Sequence, residues 1–541
     1  MASLLERIQL NFGALRTLKD VGLLSPKVAM TAARAVRKYG PTLASGVVAS
    51  TERDPDRVGL IDDEGSLTYG QLAEQSDRIA HALAAKGVSA GDSVGLLARN
   101  SRWFVLCTVA LDKLGANVLY MNTGFAGPQL ADVMQREGGT LLLHDDEFSS
   151  AVVEHAPDLA RVVTDRPTST AGGTEVDGLP TLLENTPHRP LEEPERRGRS
   201  VILTSGTTGV PKGASRSNEG ATDLVATTAL FERVPFRVGD IHVIPAPMFH
   251  SLGNAAALMA AQLSQTMVLS RRFDPKGTLD LISSHRAHVL TVVPVMLQRI
   301  LELPESERTA YDTSSLRAAF CSGSALPGSL ATKWMDAFGD NLYNMYGSTE
   351  VAAATIATPE DMRAAPGTAG KPLVGVDVWL YDDNDRVITE PGVDGRIFVG
   401  SALRFDGYTG GQTKPSIDGL LSSGDLGQWD SAGRLYVGGR DDDMIVSGGE
   451  NLYPREVEDL LADHESIAET AVVGVDDEEF GKRLAAFVVP EGGTSLTEDE
   501  VKAYVKANLA NYKVPRSVTF LDELPRNATG KVLKRELRER G

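Results

Sequence analysis

The sequence predicts an α/β protein: a large N-terminal domain of mostly parallel sheets with helices and a β-rich subdomain, followed by a small α+β domain. Three observations predict it. First, from residue 67 to about residue 399, short apolar runs (SVGLLA, GTLLLH, VILTSG, IHVIPAP, HVLTVVP) alternate with longer helix-like stretches such as YGQLAEQSDRIAHALAAKG. Strands alternating with helices imply a covered, mostly parallel sheet, and runs that stay apolar suit strands buried on both faces. Second, between residues 392 and 437 the pattern shifts to shorter strand-like pieces, GRIFVG and GRLYVG, separated by Gly and Asp turns. This is the β-rich subdomain. Third, beyond Gly439 the pattern shifts again. PREVEDLLADHESIAE reads as helix, AETAVVGV and RLAAFVVP as strands, and EDEVKAYVKANL as helix. The stretch Gly438-Gly439-Arg440-Asp441-Asp442-Asp443 is the joint, because Gly and Asp tolerate the backbone angles a hinge requires. The division is therefore 1–441 and 442–541, with no internal repeat.

At 541 residues the chain is too long for one compact core. A net charge of -19 argues against general nucleic-acid binding, which needs a basic face. It leaves nucleotide binding open, because a phosphate site needs only local donors and one or two cations. Cys107 and Cys321 sit in the apolar runs WFVLCTVAL and RAAFCSGSA and read as buried thiols of a reducing compartment. Neither a signal peptide nor a membrane-length apolar run is visible, so the expected location is the cytoplasm. Residues 1–40 differ. Arg7, Arg16, Lys19, Lys27, Arg34, Arg37 and Lys38 face only Glu6 and Asp20, and Leu23, Leu24, Val28, Ala32, Ala35 and Val36 can form a stripe. Two readings stay open there: a surface helix packed on the main domain, or a basic amphipathic helix in weak peripheral contact with a membrane.

The chemistry starts in a glycine-rich string after the strand-like VIL: Thr204-Ser205-Gly206-Thr207-Thr208-Gly209-Val210-Pro211-Lys212-Gly213. Backbone N–H groups of such a loop converge on phosphate oxygens, the hydroxyls add donors, and Lys212 adds a point charge. The Walker pattern is absent, since Pro211 precedes the lysine and Gly213 follows it.

Further strings follow in order: Pro247-Met248-Phe249-His250, Ser322-Gly323-Ser324-Ala325-Leu326-Pro327, Tyr346-Gly347-Ser348-Thr349-Glu350, Ser423-Gly424-Asp425, Arg440, and Asn527-Ala528-Thr529-Gly530-Lys531. With Leu67-Thr68-Tyr69 upstream, this series resembles the adenylate-forming superfamily of acyl-CoA synthetases, peptide-synthetase adenylation domains and firefly luciferase. It is most similar to the fatty-acyl-CoA synthetases, and the resemblance spans about residues 67 to 534.

The resemblance implies roles that suit the side chains. Ser322, Gly323, Ser324 and Ala325 form the adenine loop, and Tyr346 offers a flat face to the base. Gly347 and Ser348 belong to the same nucleotide motif. Asp425 offers two acceptors to the ribose, and Arg440 donates from the other side. Thr349 donates to the α-phosphate, and Glu350 is the hard oxygen ligand for Mg2+. ATP and coenzyme A are the implied co-substrates. The carboxylate attacks the α-phosphorus, pyrophosphate leaves, and Lys531 bridges the two anions. The small domain is mobile, with Asp442 as its hinge residue. Rotation withdraws Lys531 and brings in Gly448 and Gly449, whose lack of side chains leaves room for a pantetheine arm. His250 gates the acyl pocket. Phe480, Lys513 and Arg516 are the contacts for coenzyme A.

The segment after His250, SLGNAAALM, carries no acid to pair an ammonium, and burying an unpaired ammonium is costly. That favours an uncharged tail: a medium- or long-chain fatty acid first, an aromatic acid second. Ala255, Ala256 and Ala257 together with Val351, Ala352 and Ala353 either line an acyl tunnel or permit close packing. A ligase loading a carrier protein is the nearest rival, and a nucleotide-binding sensor is a rival of another class. Two departures from the family pattern stand out. Arg396 follows Gly395 where a glutamate is usual, and Leu420 follows Asp418-Gly419 where an aromatic is usual. Oligomeric state is not encoded in any motif.

Overall fold

Short strands that are mostly apolar become fully buried, the occasional threonine included. Thr266–Leu269, Val289–Val292 and Ala318–Cys321 are buried at all four positions. The computed structural model describes residues 4–125, 127–165, 178–205, 211–215, 224–403, 407–409, 411, 413–440, 445–447, 450–477, 481–492 and 494–540. It divides into two compact units. One comprises Met1–Val292, Glu302–Phe320 and Ala402–Thr413; the other comprises Val293–Leu301, Cys321–Ser401 and Lys414–Gly541. Neither unit ends at residue 441, the boundary expected from the sequence.

The first unit holds two sheets. In one, Val58–Asp62, Thr266–Leu269, Ile241–Ile244 and Val289–Val292 run parallel, and Gly65–Thr68 closes an edge antiparallel. In the other, Arg161–Val163, Gly139–His144, Ser93–Leu97, Asn117–Tyr120 and Ser200–Ser205 run parallel, followed by antiparallel Pro211–Ser215 and Gly407–Tyr408. Helix boundaries follow local chemistry. Thr68 and Gln71 form a capping box at the start of Tyr69–Ala85. The helix Arg102–Leu114 stops at Gly115 in the left-handed region, where a β-carbon would lie 2.1 Å from the Arg196 carbonyl oxygen.

The second unit opens with a hairpin, Leu342–Ser348 and Ala352–Ala357. A meander follows, in which Asp377–Tyr381, Gly395–Gly400, Leu420–Trp429 and Leu435–Arg440 pair antiparallel. The C-terminal part is a three-stranded sheet of Ile467–Asp477, Gly481–Pro490 and Ser517–Phe520 with helices Pro454–Ala462, Glu498–Asn508 and Lys534–Arg540. The sequence expectation overran the first of these helices. It ends at Ala462, Ile467 N–H turns back to the His464 carbonyl at 3.0 Å, and the strand begins there. The alternating burial of Ile467, Glu469 and Ala471 decides the matter, because only an extended chain places these three side chains on one face.

Both cysteines are buried, and burial pushes both thiols far above their ordinary pKa, so neither is a nucleophile. The N-terminal residues form helices Leu4–Val21 and Pro26–Tyr39, the second packed on Leu43–Arg53. Of the expected stripe, Ala35 is buried, Leu23, Val28, Ala32 and Val36 are half-buried, and Leu24 is exposed. Among the described residues no helix is long and apolar enough to cross a membrane.

Candidate active site

The strand Leu342–Ser348 slips register between Tyr346 and Gly347. The slip brings Gly347 so close to the opposite strand that a β-carbon would sit 2.0 Å from the Ala352 carbonyl oxygen, so only glycine fits. Past it, the Ser348 hydroxyl accepts from the backbone N–H groups of Glu350 (3.2 Å) and Val351 (3.3 Å). That turn buries Thr349 and leaves Glu350 half-open.

Tyr346 donates its hydroxyl to Asp425 Oδ2 at 2.7 Å. Burial first, and then the Asp425 charge, push the phenol well above its usual pKa. Asp425 sits on the meander opposite Arg440 in register, and its backbone N–H donates to the Ser423 hydroxyl at 3.1 Å. Burial raises the Asp425 pKa, and the Tyr346 hydroxyl, Arg440 and Lys414 each oppose the rise. Lys414 belongs to no motif singled out in the sequence. A β-carbon on Gly424 would lie 3.2 Å from Lys414 Nζ and 3.4 Å from an Arg440 terminal nitrogen. Ser322 donates to the Met345 carbonyl at 2.8 Å, tying the adenine-loop string to the Tyr346 strand. Gly323 is left-handed there, and Ser324 and Ala325 are exposed.

Lys531 ends a tight loop. Asn527 Oδ1 accepts from the Thr529 N–H (3.0 Å), the Thr529 hydroxyl (2.7 Å) and the Lys531 N–H (2.9 Å). Gly530 is left-handed at φ 81°, with Val295 Cγ1 2.6 Å from where a β-carbon would be. Arg526 donates to the Gly530 carbonyl (2.8 Å) and pairs with Glu469 (2.9 Å), which Arg299 approaches at 3.8 Å. Gln298 donates to the Ala468 carbonyl at 3.0 Å. The parts played by Arg526 and Glu469 were invisible in the sequence, because they meet 57 residues apart; Asn527 stood in the string 527–531 with no role attached. The Lys531 side chain is solvent-accessible by area yet hemmed in by protein, as a group lining a cleft is. Desolvation and then Arg440 lower its pKa, while Glu350 and Asp425 oppose the change. The structure thus brings Arg440, Glu350 and Asp425 within electrostatic reach of Lys531.

In the first unit, Thr204 and Lys212 face each other across the antiparallel pair Ser200–Ser205 and Pro211–Ser215, as do Ser205 and Pro211. Gly206, Thr207, Thr208 and Gly209 between them lie outside the described residues, as do Asp442, Gly448, Gly449 and Phe480. Gly213 serves packing: a β-carbon would meet Thr409 Oγ1 at 2.8 Å and Val201 Cγ1 at 2.9 Å. His250 is half-buried and precedes the helix Ser251–Gln262. The turn carrying it is held by Asn100, another residue no motif flagged. Its amide donates to the carbonyls of Ile244 (3.0 Å) and Ala246 (2.9 Å), and its oxygen accepts from Met248 N–H at 2.8 Å. Ala256 and Ala257 are core residues, so their small size permits close packing, and Ala255 is exposed. Lys513 places Nζ 2.6 Å from both Glu456 oxygens, so its charge is already paired, while the Arg516 side chain is exposed.

Comparison with known proteins carries this geometry to a family. The AMP-binding enzyme family matches residues 31–409, and the AMP-binding enzyme C-terminal domain matches residues 456–531. The chain belongs to the AMP-binding enzyme family. A fatty acid–acyl-carrier-protein ligase of Streptomyces coeruleorubidus is 31% identical over 92% of this chain and 96% of its own length. A 2-succinylbenzoate–CoA ligase of Geobacillus sp. (strain WCH70) is 32% identical over 90% and 95%. The structure of o-succinylbenzoate coenzyme A synthetase from Bacillus subtilis, in complex with its acyl-adenylate intermediate, is 28% identical with a TM-score of 0.77 and covers 91% of this chain and 97% of that one. As a member, this AMP-binding enzyme is an AMP-forming acid–thiol ligase that works through an acyl-adenylate. Its α/β architecture, with a large N-terminal part and a small C-terminal domain, is that of the adenylate-forming enzymes.

Proposed function

We propose that this ligase joins a medium- or long-chain fatty acid to coenzyme A, through an acyl-adenylate made from ATP. The observation that carries the assignment of roles is the gathering of Lys531 and Arg440 with Glu350 and Asp425. An anionic carboxylate attacking an anionic phosphate needs cations at hand, and the nucleotide needs a fixed ribose and base. Tyr346, anchored through its hydroxyl, presents its ring to adenine. Asp425 and Arg440 hold the ribose between them, and Thr349 donates to the α-phosphate. Lys531 spans the attacking carboxylate and the α-phosphate, and pyrophosphate departs in line.

Glu350 is the residue that would hold magnesium. Among the described residues no cluster of three His, Cys, Asp or Glu side chains forms a cage. One carboxylate fits an ion that completes its shell with phosphate oxygens and water. When bound, that ion neutralises phosphate charge.

The second half-reaction uses the small domain in another pose, turned about Asp442 so that Lys531 leaves and Gly448 and Gly449 line the path of the thiol. His250 moves aside for it. Arg516 and Phe480 contact coenzyme A; Lys513 joins them only on leaving Glu456. The acyl tail is uncharged, because the helix after His250 offers no carboxylate to an ammonium. Two alternatives have specific support. The Streptomyces relative delivers to an acyl carrier protein, and the Geobacillus relative takes an aromatic acid.

The test is AMP and pyrophosphate formation with a panel of fatty and aromatic acids, with and without coenzyme A. Fatty-acid-dependent AMP release that requires coenzyme A is expected. Pyrophosphate exchange without coenzyme A turnover transfers the acceptor role to a carrier protein, and a preference for aromatic acids overturns the fatty-acid assignment.

A further inference from the structure

The second N-terminal helix is amphipathic in place as well as in sequence, and the described part of the first also turns one side inward. Ala14, Thr17 and Val21 of the first turn inward, where the Thr17 hydroxyl reaches Glu232 at 3.4 Å and the Val21 carbonyl accepts from Val238 N–H at 2.9 Å. Thr31, Ala35 and Tyr39 of the second are buried likewise. The exposed positions of the described residues on these two helices are rich in cations and large apolar side chains. Leu15, Leu24 and Met30 are 42%, 52% and 54% exposed, and Arg16, Lys19, Lys27, Arg34 and Arg37 are exposed as well. Lys27, Met30, Arg34 and Arg37 fall at helical spacing, so Met30 stands in a row of cations. The acids at its border are Asp20, 4.0 Å from Arg16, and Glu232. Arg197 donates to the Arg37 carbonyl at 2.6 Å, but exposed Glu192, Glu193 and Glu195 balance the arginines of that loop. The local excess of positive charge therefore belongs to the helices. The AMP-binding match begins at residue 31, so the first helix lies outside it.

We propose that this outer face docks the enzyme on the surface of an anionic lipid bilayer. Charge complementarity selects the occupant. On a protein of net charge -19, a row of exposed cations flanking exposed Met30 on the second helix, with exposed Leu24 just ahead of it, matches phosphate headgroups above acyl chains. Leu24 and Met30 enter the interface while Lys27, Arg34 and Arg37 lie along the headgroups. Binding is peripheral, since no described helix is long and apolar enough to span. The proposal stands apart from the choice of acid.

The experiment is co-sedimentation of the full chain with phosphatidylcholine vesicles, with and without phosphatidylglycerol, across a salt series. Binding that requires phosphatidylglycerol and weakens with salt is expected. Lys27→Glu with Arg34→Glu and Arg37→Glu should lower partitioning by roughly 100-fold or more. Leu24→Ser with Met30→Ser should lower it by about tenfold. Acid-dependent pyrophosphate exchange at wild-type rate shows that each variant is folded, and the apolar pair tests the face if the charge reversals unfold it. Binding indifferent to phosphatidylglycerol, or unchanged in both variants, overturns the proposal. A wild-type chain that leaves every vesicle untouched also overturns it and assigns the face to an acidic protein partner.

Discussion

The hydroxyl of Tyr346 occupies one oxygen of Asp425, so the carboxylate assigned to the ribose is already oriented before nucleotide arrives. A hydrogen bond to a charged acceptor contributes about 1.5–3 kcal/mol, and its loss leaves a half-buried carboxylate less well solvated. Tyr346→Phe keeps the ring and removes that bond. The KM for ATP is expected to rise roughly tenfold, with kcat changed far less, because the group acts on binding; steady-state kinetics at saturating acid read both. Lys414→Ala removes one of the charges that keep Asp425 ionised, so the same assay should show the pH dependence of ATP binding moving upward. The two departures from the family pattern have local explanations. Arg396 pairs with Asp385 at 2.6 Å, and Leu420 packs where a β-carbon on Gly400 would lie only 2.6 Å from its Cδ2.

At the scale of elements, the loop 527–531 shows how a backbone positions a charge. Gly530→Ala adds a β-carbon 2.6 Å from Val295 Cγ1 and forces a left-handed alanine, which costs about 1–2 kcal/mol. Adenylation should fall. Val295→Ala in the same chain should restore part of it, and the residue that is not restored measures the backbone term. Buried Asp112 gives a pH test. Its carboxylate accepts from Ala44 N–H at 3.2 Å near the start of the helix Leu43–Arg53, and burial pushes its pKa up to about 7. Between about pH 4 and about 7 the folded chain holds a proton that the unfolded chain has lost, so stability falls as pH rises through that window. Asp112→Asn should flatten this slope in thermal melts. Sequence patterns reached the strands well, because an unbroken apolar run has one reading once helices flank it. They overran the helix at Ala462, where local propensity favours helix but burial of alternate residues imposes a strand. The motif residues Tyr346, Glu350, Asp425, Arg440 and Lys531 were legible for their resemblance. Asn100, Lys414 and Glu469 were not, since each acts on a partner distant in sequence.

For the whole molecule, the decisive question is whether one active site serves two reactions by changing its contents. The loop that carries Lys531 is held by Arg526, Glu469, Arg299 and Gln298, and the lysine lies within electrostatic reach of Glu350, Asp425 and Arg440. In the proposed mechanism this lysine assists attack on the α-phosphorus, where charge develops between two anions. It has no corresponding task when a thiol displaces AMP from an acyl-adenylate already made. Lys531→Ala should therefore cut acid-dependent pyrophosphate exchange by roughly 10²–10³-fold, the usual loss for one transition-state contact. Formation of the thioester from supplied acyl-adenylate and coenzyme A should stay near the wild-type rate. Glu469→Gln, which loosens the anchor and leaves the lysine in place, should weaken the first reaction more than the second. The comparison is internal to one enzyme preparation, so errors in folding or concentration cancel between the two assays. Equal loss in both half-reactions would mean that Lys531 stays in the site throughout, and the two-pose assignment with Asp442 as its pivot would fall with it.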